Sequence, residues 1–161
     1  MRTLVLGLGN PILGDDSVGL RVAESVRGRL PADSGIEVDT DFWGGLQLME
    51  RLIGYDQAII IDAICSGLHQ PGALLTLSVD DVATQHTASA HDVNLPTALR
   101  LAVTMGLSTP HSIVIIAIEA ENVLDFGEQL SPAVAAAVPA AVDAVLAEVS
   151  RYHSKEGAAG P

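Results

Sequence analysis

Cysteine is almost missing from this chain. Cys65 stands alone among 161 residues, which excludes an internal disulfide framework and a cysteine-rich zinc site. Basic residues are scarce too. Eight Lys and Arg against twenty Asp and Glu give a formal net charge of −12. Such a surface repels nucleic acid and anionic membranes, so neither is an expected partner. Aromatics amount to 3% of the residues, and no unbroken apolar run approaches the roughly 20 residues that span a bilayer. Only six apolar-leaning residues separate Met1-Arg2 from Gly9-Asn10-Pro11, too few for a secretory h-region. The expectation is a cytoplasmic protein of a reducing compartment, monomeric by default.

What is abundant is apolar. Nearly half the residues are hydrophobic and 17% are charged, a globular composition at a length that suits one domain. A short β-rich run, Thr3–Leu8, precedes an amphipathic stretch from Ser17 to Leu30 that Pro31 ends. Ile36–Asp39 reads as a strand and Gly45–Ile53 as a helix. Ala58–Ile61 is the most buried-looking strand, and Asp62 closes it. Leu74–Val79 suits an antiparallel edge strand, Val93–Met105 a helix, and Ser112–Ile118 a strand that ends at Glu119. Ser131–Tyr152 is a long alanine-rich helix with Ser131 as N-cap and Pro132 at the first helical position; Pro139 predicts a kink. The alternation implies a three-layer α/β/α sandwich around a mostly parallel sheet. One domain is expected over residues 1–153, with a flexible tail at 154–161.

The stretch LGLGNPILGDDSVG, Leu6 to Gly19, poses the functional question. A dinucleotide loop requires G-x-G-x-x-G and a helix N-terminus open to phosphate. Gly7 and Gly9 fit, but Ile12 takes the third glycine's place, and Asp15 and Asp16 fill the anion site with anions. Either aspartate suits a helix cap. One cap needs one carboxylate, which leaves the other for a metal or a proton.

In an open α/β sheet ligands gather beyond the carboxyl ends of the strands. There the sequence places Asn10, Asp15 and Asp16, then Asp62 with Cys65 beyond it, then Glu119, and the segment Ser89-Ala90-His91-Asp92 before a helix. Asp16, Asp62 and His91 have the donor types of an open divalent-metal site, although each is equally at home in a structural role. His69, His86, His111 and His153 read as surface or turn residues, and Cys65 as a partly buried, inert thiol. No G-x-S-x-G or H-E-x-x-H occurs.

Four blocks in order, LVLGLGNPILGDDSVGLRV, AIIIDAICSG, SAHDVNLPTALRLA and VIIAIEAENVLDFGEQLSPAV, resemble the maturation endopeptidases of nickel–iron hydrogenases over almost the whole chain. The resemblance implies a five-stranded twisted sheet and a cytoplasmic enzyme. It implies removal of a C-terminal extension from the precursor of a hydrogenase large subunit once nickel is in place. It also assigns nickel contact and catalysis to Asp16, Asp62 and His91, with the nickel supplied by the substrate and zinc or cadmium standing in for it in vitro. Asp15 is then the loop's structural carboxylate. Where many members have a Gly-Thr-rich turn after the second strand, this chain has Asp39-Thr40-Asp41-Phe42-Trp43-Gly44-Gly45. Phe42, Trp43, Gly44 and Gly45 are the candidate substrate contacts, with a staple over the next helix as the other reading of the aromatic pair. The rival function is a nickel-dependent assembly chaperone that binds the precursor without cutting it.

Overall fold

Side-chain alternation along the strands builds two cores, one on each face of a sheet. In β1 (Thr3–Leu8), Val5 joins Ile59, Ile61 and Ala63 of β3 (Gln57–Ile64) and Ile116 and Ile118 of β5 (Ser112–Glu119) on one face. There they are covered by Val18, Val22 and Val26 of α1 (Val18–Arg29) and by Val134, Ala141, Val145 and Val149 of α5 (Pro132–Ala158). Leu4, Leu6, Leu8, Ile60, Ile115 and Ala117 face the other way, against Leu48 and Leu52 of α2 (Gly45–Leu52) and Leu95 of α4 (Leu95–Thr104). Met49, Ala98 and Ala102 join those two helices to each other. The computed structural model describes residues 1–42, 44–84 and 95–158.

The five strands lie in the order β2-β1-β3-β5-β4, where β2 spans Ile36–Asp41 and β4 spans Leu74–Ser78. All neighbours pair in parallel except β4, which runs antiparallel to β5 at the edge. This is the expected α/β/α sandwich. Central β3 is buried at every residue and β4 mostly is not, as befits a core strand and an edge.

Four details depart from the expectations of the sequence. The third strand continues past Asp62 to Ile64, so Asp62 lies within it. A short helix, α3 (Val79–Thr84), follows β4 where the sequence pattern predicts none. Pro139, expected to kink or slightly break the last helix, does not break α5; both it and Ala135 one turn earlier, whose carbonyl loses its helical donor, are exposed. The same helix continues through Ser154 to Ala158, into the segment expected to be a frayed tail. Moreover, Pro132–Tyr152 is long and apolar enough to cross a bilayer by length and composition. Its valine face here packs on the sheet and α1.

Candidate active site

β1 and β3 are neighbours, but the chain leaves them toward opposite sides of the sheet, to β2 after β1 and to β4 and β5 after β3. A crevice opens beyond the carboxyl ends of two such strands. Glycines press the opening loop onto it. A Cβ at Gly9 (φ 149°) would overlap the Asp16 carbonyl, and one at Gly19 would overlap the carbonyls of Leu8 and Ile61. Two glycines therefore let the first helix approach the sheet: Gly7 on β1, where a Cβ would overlap the Gly19 carbonyl and Ala23 Cβ, and Gly19 on the helix, which lies ten residues beyond Gly9 and outside the dinucleotide spacing.

The two adjacent aspartates divide their work. Residues Gly14–Ser17 form a single 3-10 turn, and neither it nor α1 has a side-chain cap bond, so the capping role is not the one taken. Asp15 is buried. Its Oδ1 accepts from Ser131 N–H (2.6 Å), and its Oδ2 from Glu121 N–H (3.0 Å) and the Ser131 hydroxyl (2.9 Å). It ties the opening loop to the segment between β5 and α5. A short parallel bridge reinforces the tie, with Gly14 N–H donating to Gly127 O (2.6 Å) and Gly127 N–H to Ile12 O (2.9 Å). Ser131 begins α5 as expected, its carbonyl accepting from Ala135 N–H, but its hydroxyl goes to Asp15. Asp16 is half-buried, and its Oδ2 accepts from Asn10 N–H (2.8 Å), which closes the loop on itself.

Asp62 is fully buried and accepts from Ala63 N–H (2.9 Å). By alternation it shares the sheet face of Ile60 and Ile64, the face on which Leu95 opens α4. Glu119, also buried, is occupied by the loop after β3: Oε1 accepts from Ser66 and Gly67 N–H (both 2.9 Å) and Oε2 from the Ser66 hydroxyl (2.6 Å). Its carboxylate thereby fixes the segment that leaves β3. Cys65 reports on the convergence of these groups. Burial pushes its thiol up, and the negative charges of Glu119, Asp15 and Asp16 push it further. The charges of the opening loop and of the end of β5 thus both reach the thiol beyond β3, and they disfavour a thiolate there.

Known proteins share this fold. The family model for hydrogenase maturation protease matches residues 43–148. The hydrogenase 2 maturation protease of Escherichia coli K12 is 30% identical over 149 residues, covering 91% of this chain and 90% of its own. The solved structure of the hydrogenase maturating endopeptidase HybD from E. coli superposes with a TM-score of 0.82 at 28% identity, over 94% of each chain. The [NiFe] hydrogenase maturation protease HybD from Thermococcus kodakarensis gives 0.68 at 26% identity, over 92% of this chain and 99% of the other. The chain belongs to the hydrogenase maturation protease family.

The protease's remaining candidate residues fall into three groups. His91 and Trp43 lie outside the described residues, as does His86. Among the described residues no three His, Cys, Asp or Glu side chains are grouped to hold a metal ion; Asp16 is half-buried in the turn after β1 and Asp62 fully buried within β3. His69 and His111 are exposed, in keeping with surface roles. After β2, Phe42 is exposed rather than packed as a staple. Gly44 precedes α2 with extended backbone, and Gly45 takes φ 59°, a left-handed turn suited to glycine. Arg51 of α2 pairs with both Asp39 and Asp41 and anchors this loop from below. Sequence reasoning passes over the loop between β5 and α5, where Leu124 and Phe126 are exposed. The resembling block includes both, and their apolar character beside Asp125 is the available signal.

Proposed function

We infer that this protease removes the carboxyl-terminal extension from the precursor of a nickel–iron hydrogenase large subunit, and that it senses the nickel already seated in that precursor. The observation that carries the reading is the placement of Asp16 in the turn that follows β1 and of Asp62 within β3, the two strands that border the crevice. They are two carboxylates of different sequence origin in a fold shared with hydrogenase maturating endopeptidases. Together with His91 they make an oxygen–nitrogen donor set that suits nickel, and zinc or cadmium in its place. The ion belongs to the substrate. A precursor without it offers Asp16 and Asp62 nothing to bind. Lewis-acid polarisation is what the ion supplies on arrival. The chain's own residues orient it: Asn10 N–H holds the Asp16 carboxylate and Ala63 N–H that of Asp62. The enzyme acts as a cytoplasmic monomer, and Phe42, Trp43, Gly44 and Gly45 contact the substrate.

The test is mass spectrometry of purified nickel-loaded precursor incubated with wild-type enzyme and with Asp16→Asn. The asparagine keeps an oxygen to accept from Asn10 N–H, so the fold is retained, but an amide is a much poorer ligand for nickel. Wild type shortens the precursor and the variant does not. Equal processing by the variant eliminates the role given to Asp16, and precursor that binds wild type without losing mass marks an assembly chaperone.

A further inference from the structure

The chain contains two phenylalanines, and both are exposed: Phe42 at 53% and Phe126 at 84%. Phe126 has company. Leu124 is 80% exposed on the same loop, and Ile12 is 50% exposed on the backbone strand that bridges to Gly127. An exposed large apolar side chain alone means little. Three on two hydrogen-bonded loops beside Asp15 and Asp16, in a chain so poor in aromatics, form a patch of the kind that marks a contact site.

The loop that bears them is built, not slack. Asn122 Oδ1 accepts from Leu124 N–H (2.7 Å) and Asp125 N–H (3.2 Å), and Asn122 Nδ2 donates to Asp125 Oδ2 (2.6 Å). Asp15 holds both of its ends, through Glu121 N–H and through Ser131. Gly127 is bridged to the opening loop in between. Leu124 and Phe126 are therefore presented to solvent by a backbone already ordered, so a partner that covers them meets little ordering cost. The same carboxylate that fixes this loop lies next to Asp16, so the patch has a fixed register to the crevice.

Charge identifies the occupant. Glu121, Asp125 and Glu128 are exposed on the loop that bears Leu124 and Phe126, and no Lys or Arg occurs between Ser112 and Ser150; the one arginine that reaches this loop, among the described hydrogen bonds, is Arg21, which donates to Glu128 O (3.0 Å) and leaves the three carboxylates in excess. An acidic rim around an apolar centre complements a segment whose apolar side chains are flanked by lysine or arginine. We propose that Leu124 and Phe126, with Ile12, dock such a basic, apolar segment of the hydrogenase precursor and so set the distance between its bound nickel and Asp16. This rests on the reading of the precursor as substrate.

The experiment uses Leu124→Ser/Phe126→Ser in the full-length protein, with purified nickel-loaded precursor as the probe. Kd is read by surface plasmon resonance at low and high salt, KM and kcat by the rate of precursor shortening, and oligomeric state by sedimentation. Because both side chains are exposed, the variant melts like wild type. Docking predicts that Kd and KM rise about tenfold or more with kcat little changed, and that wild-type affinity falls as salt is raised. Unchanged Kd and KM in a folded variant overturn the proposal, as does a wild-type dimer that the variant converts to monomer, since the patch would then cover itself. Wild type that binds precursor without cutting it, with binding lost in the variant, sinks the catalytic reading and leaves the docking surface standing.

Discussion

Asp15 and Asp16 are chemically identical and adjacent, yet the fold uses them differently. Asp15 receives backbone and hydroxyl donors from two sites more than a hundred residues away, so its substitution leaves partly buried donors without their acceptor. Asp15→Asn puts an amide N–H₂ against one or more of them. It is expected to cost about 2–4 kcal/mol, read from the midpoint of urea denaturation; a loss below about 0.5 kcal/mol would contradict the tie described. Asp16→Asn is expected to leave that midpoint nearly unmoved, and the contrast between neighbours is the informative result. Cys65 tests the electrostatics of the same corner. A thiol whose pKa is raised holds less thiolate at a given pH. Its alkylation by iodoacetamide should therefore lag that of free cysteine at pH 8 and approach it only at higher pH. A rate above the free thiol's would mean that the carboxylates do not face it. At this scale the sequence shows the donor types and their order. Spacing alone does not show which aspartate is structural, because the deciding partners, Glu121 and Ser131, are remote in the chain; the family resemblance assigns that role to Asp15, and the hydrogen bonds agree.

At the scale of elements, the site depends on how closely α1 approaches β1 and β3. Gly19 makes that approach possible, and a methyl there meets the carbonyls of Leu8 and Ile61, both backbone and unable to turn aside. Gly19→Ala is expected to destabilise by about 1–3 kcal/mol and to displace the turn carrying Asp16, so that processing falls more than stability alone explains. Thermal melting and a precursor assay well below the melting point separate the two effects, and a neutral Gly19→Ala would refute the packing. Most elements are legible because their periods are strong: Val18, Val22 and Val26 mark the α1 face, and the isoleucines mark β3. The end of β3 is not. Asp62 has the look of a terminator, but Ala63 and Ile64 after it continue the buried run until Ser66-Gly67 turns the chain. A carboxylate inside a buried parallel strand breaks the local rule, and functional sites are where such conflicts are expected. The short α3 escapes a sequence reading since Val79–Thr84 offers too few residues for a period.

For the whole molecule, charge outweighs any single contact. Most arginines are already engaged: Arg29 with Asp143, Arg51 with Asp39 and Asp41, Arg151 with Glu148, and Arg2 with Glu37. Twenty acids against eight bases still leave a formal charge of −12, so the compact state confines more repulsion than attraction. Added salt screens both. The exposed pairs lose at most about 1 kcal/mol each and often much less, whereas the surplus carboxylates are relieved throughout, within a Debye length that shrinks to about 8 Å at 0.15 M. Relief should exceed loss, and melting temperature is expected to rise by a few degrees between 10 mM and 300 mM sodium chloride at pH 7.5. The two effects of salt then oppose each other in function: the fold is stabilised while the acidic rim around Leu124 and Phe126 loses attraction for a basic segment. Melting temperature and precursor KM measured across one salt series should therefore rise together. A melting temperature that fell with salt would show that the ion pairs outweigh the surplus, and would place the stabilising charges at the arginines instead of assigning the cost to the carboxylates.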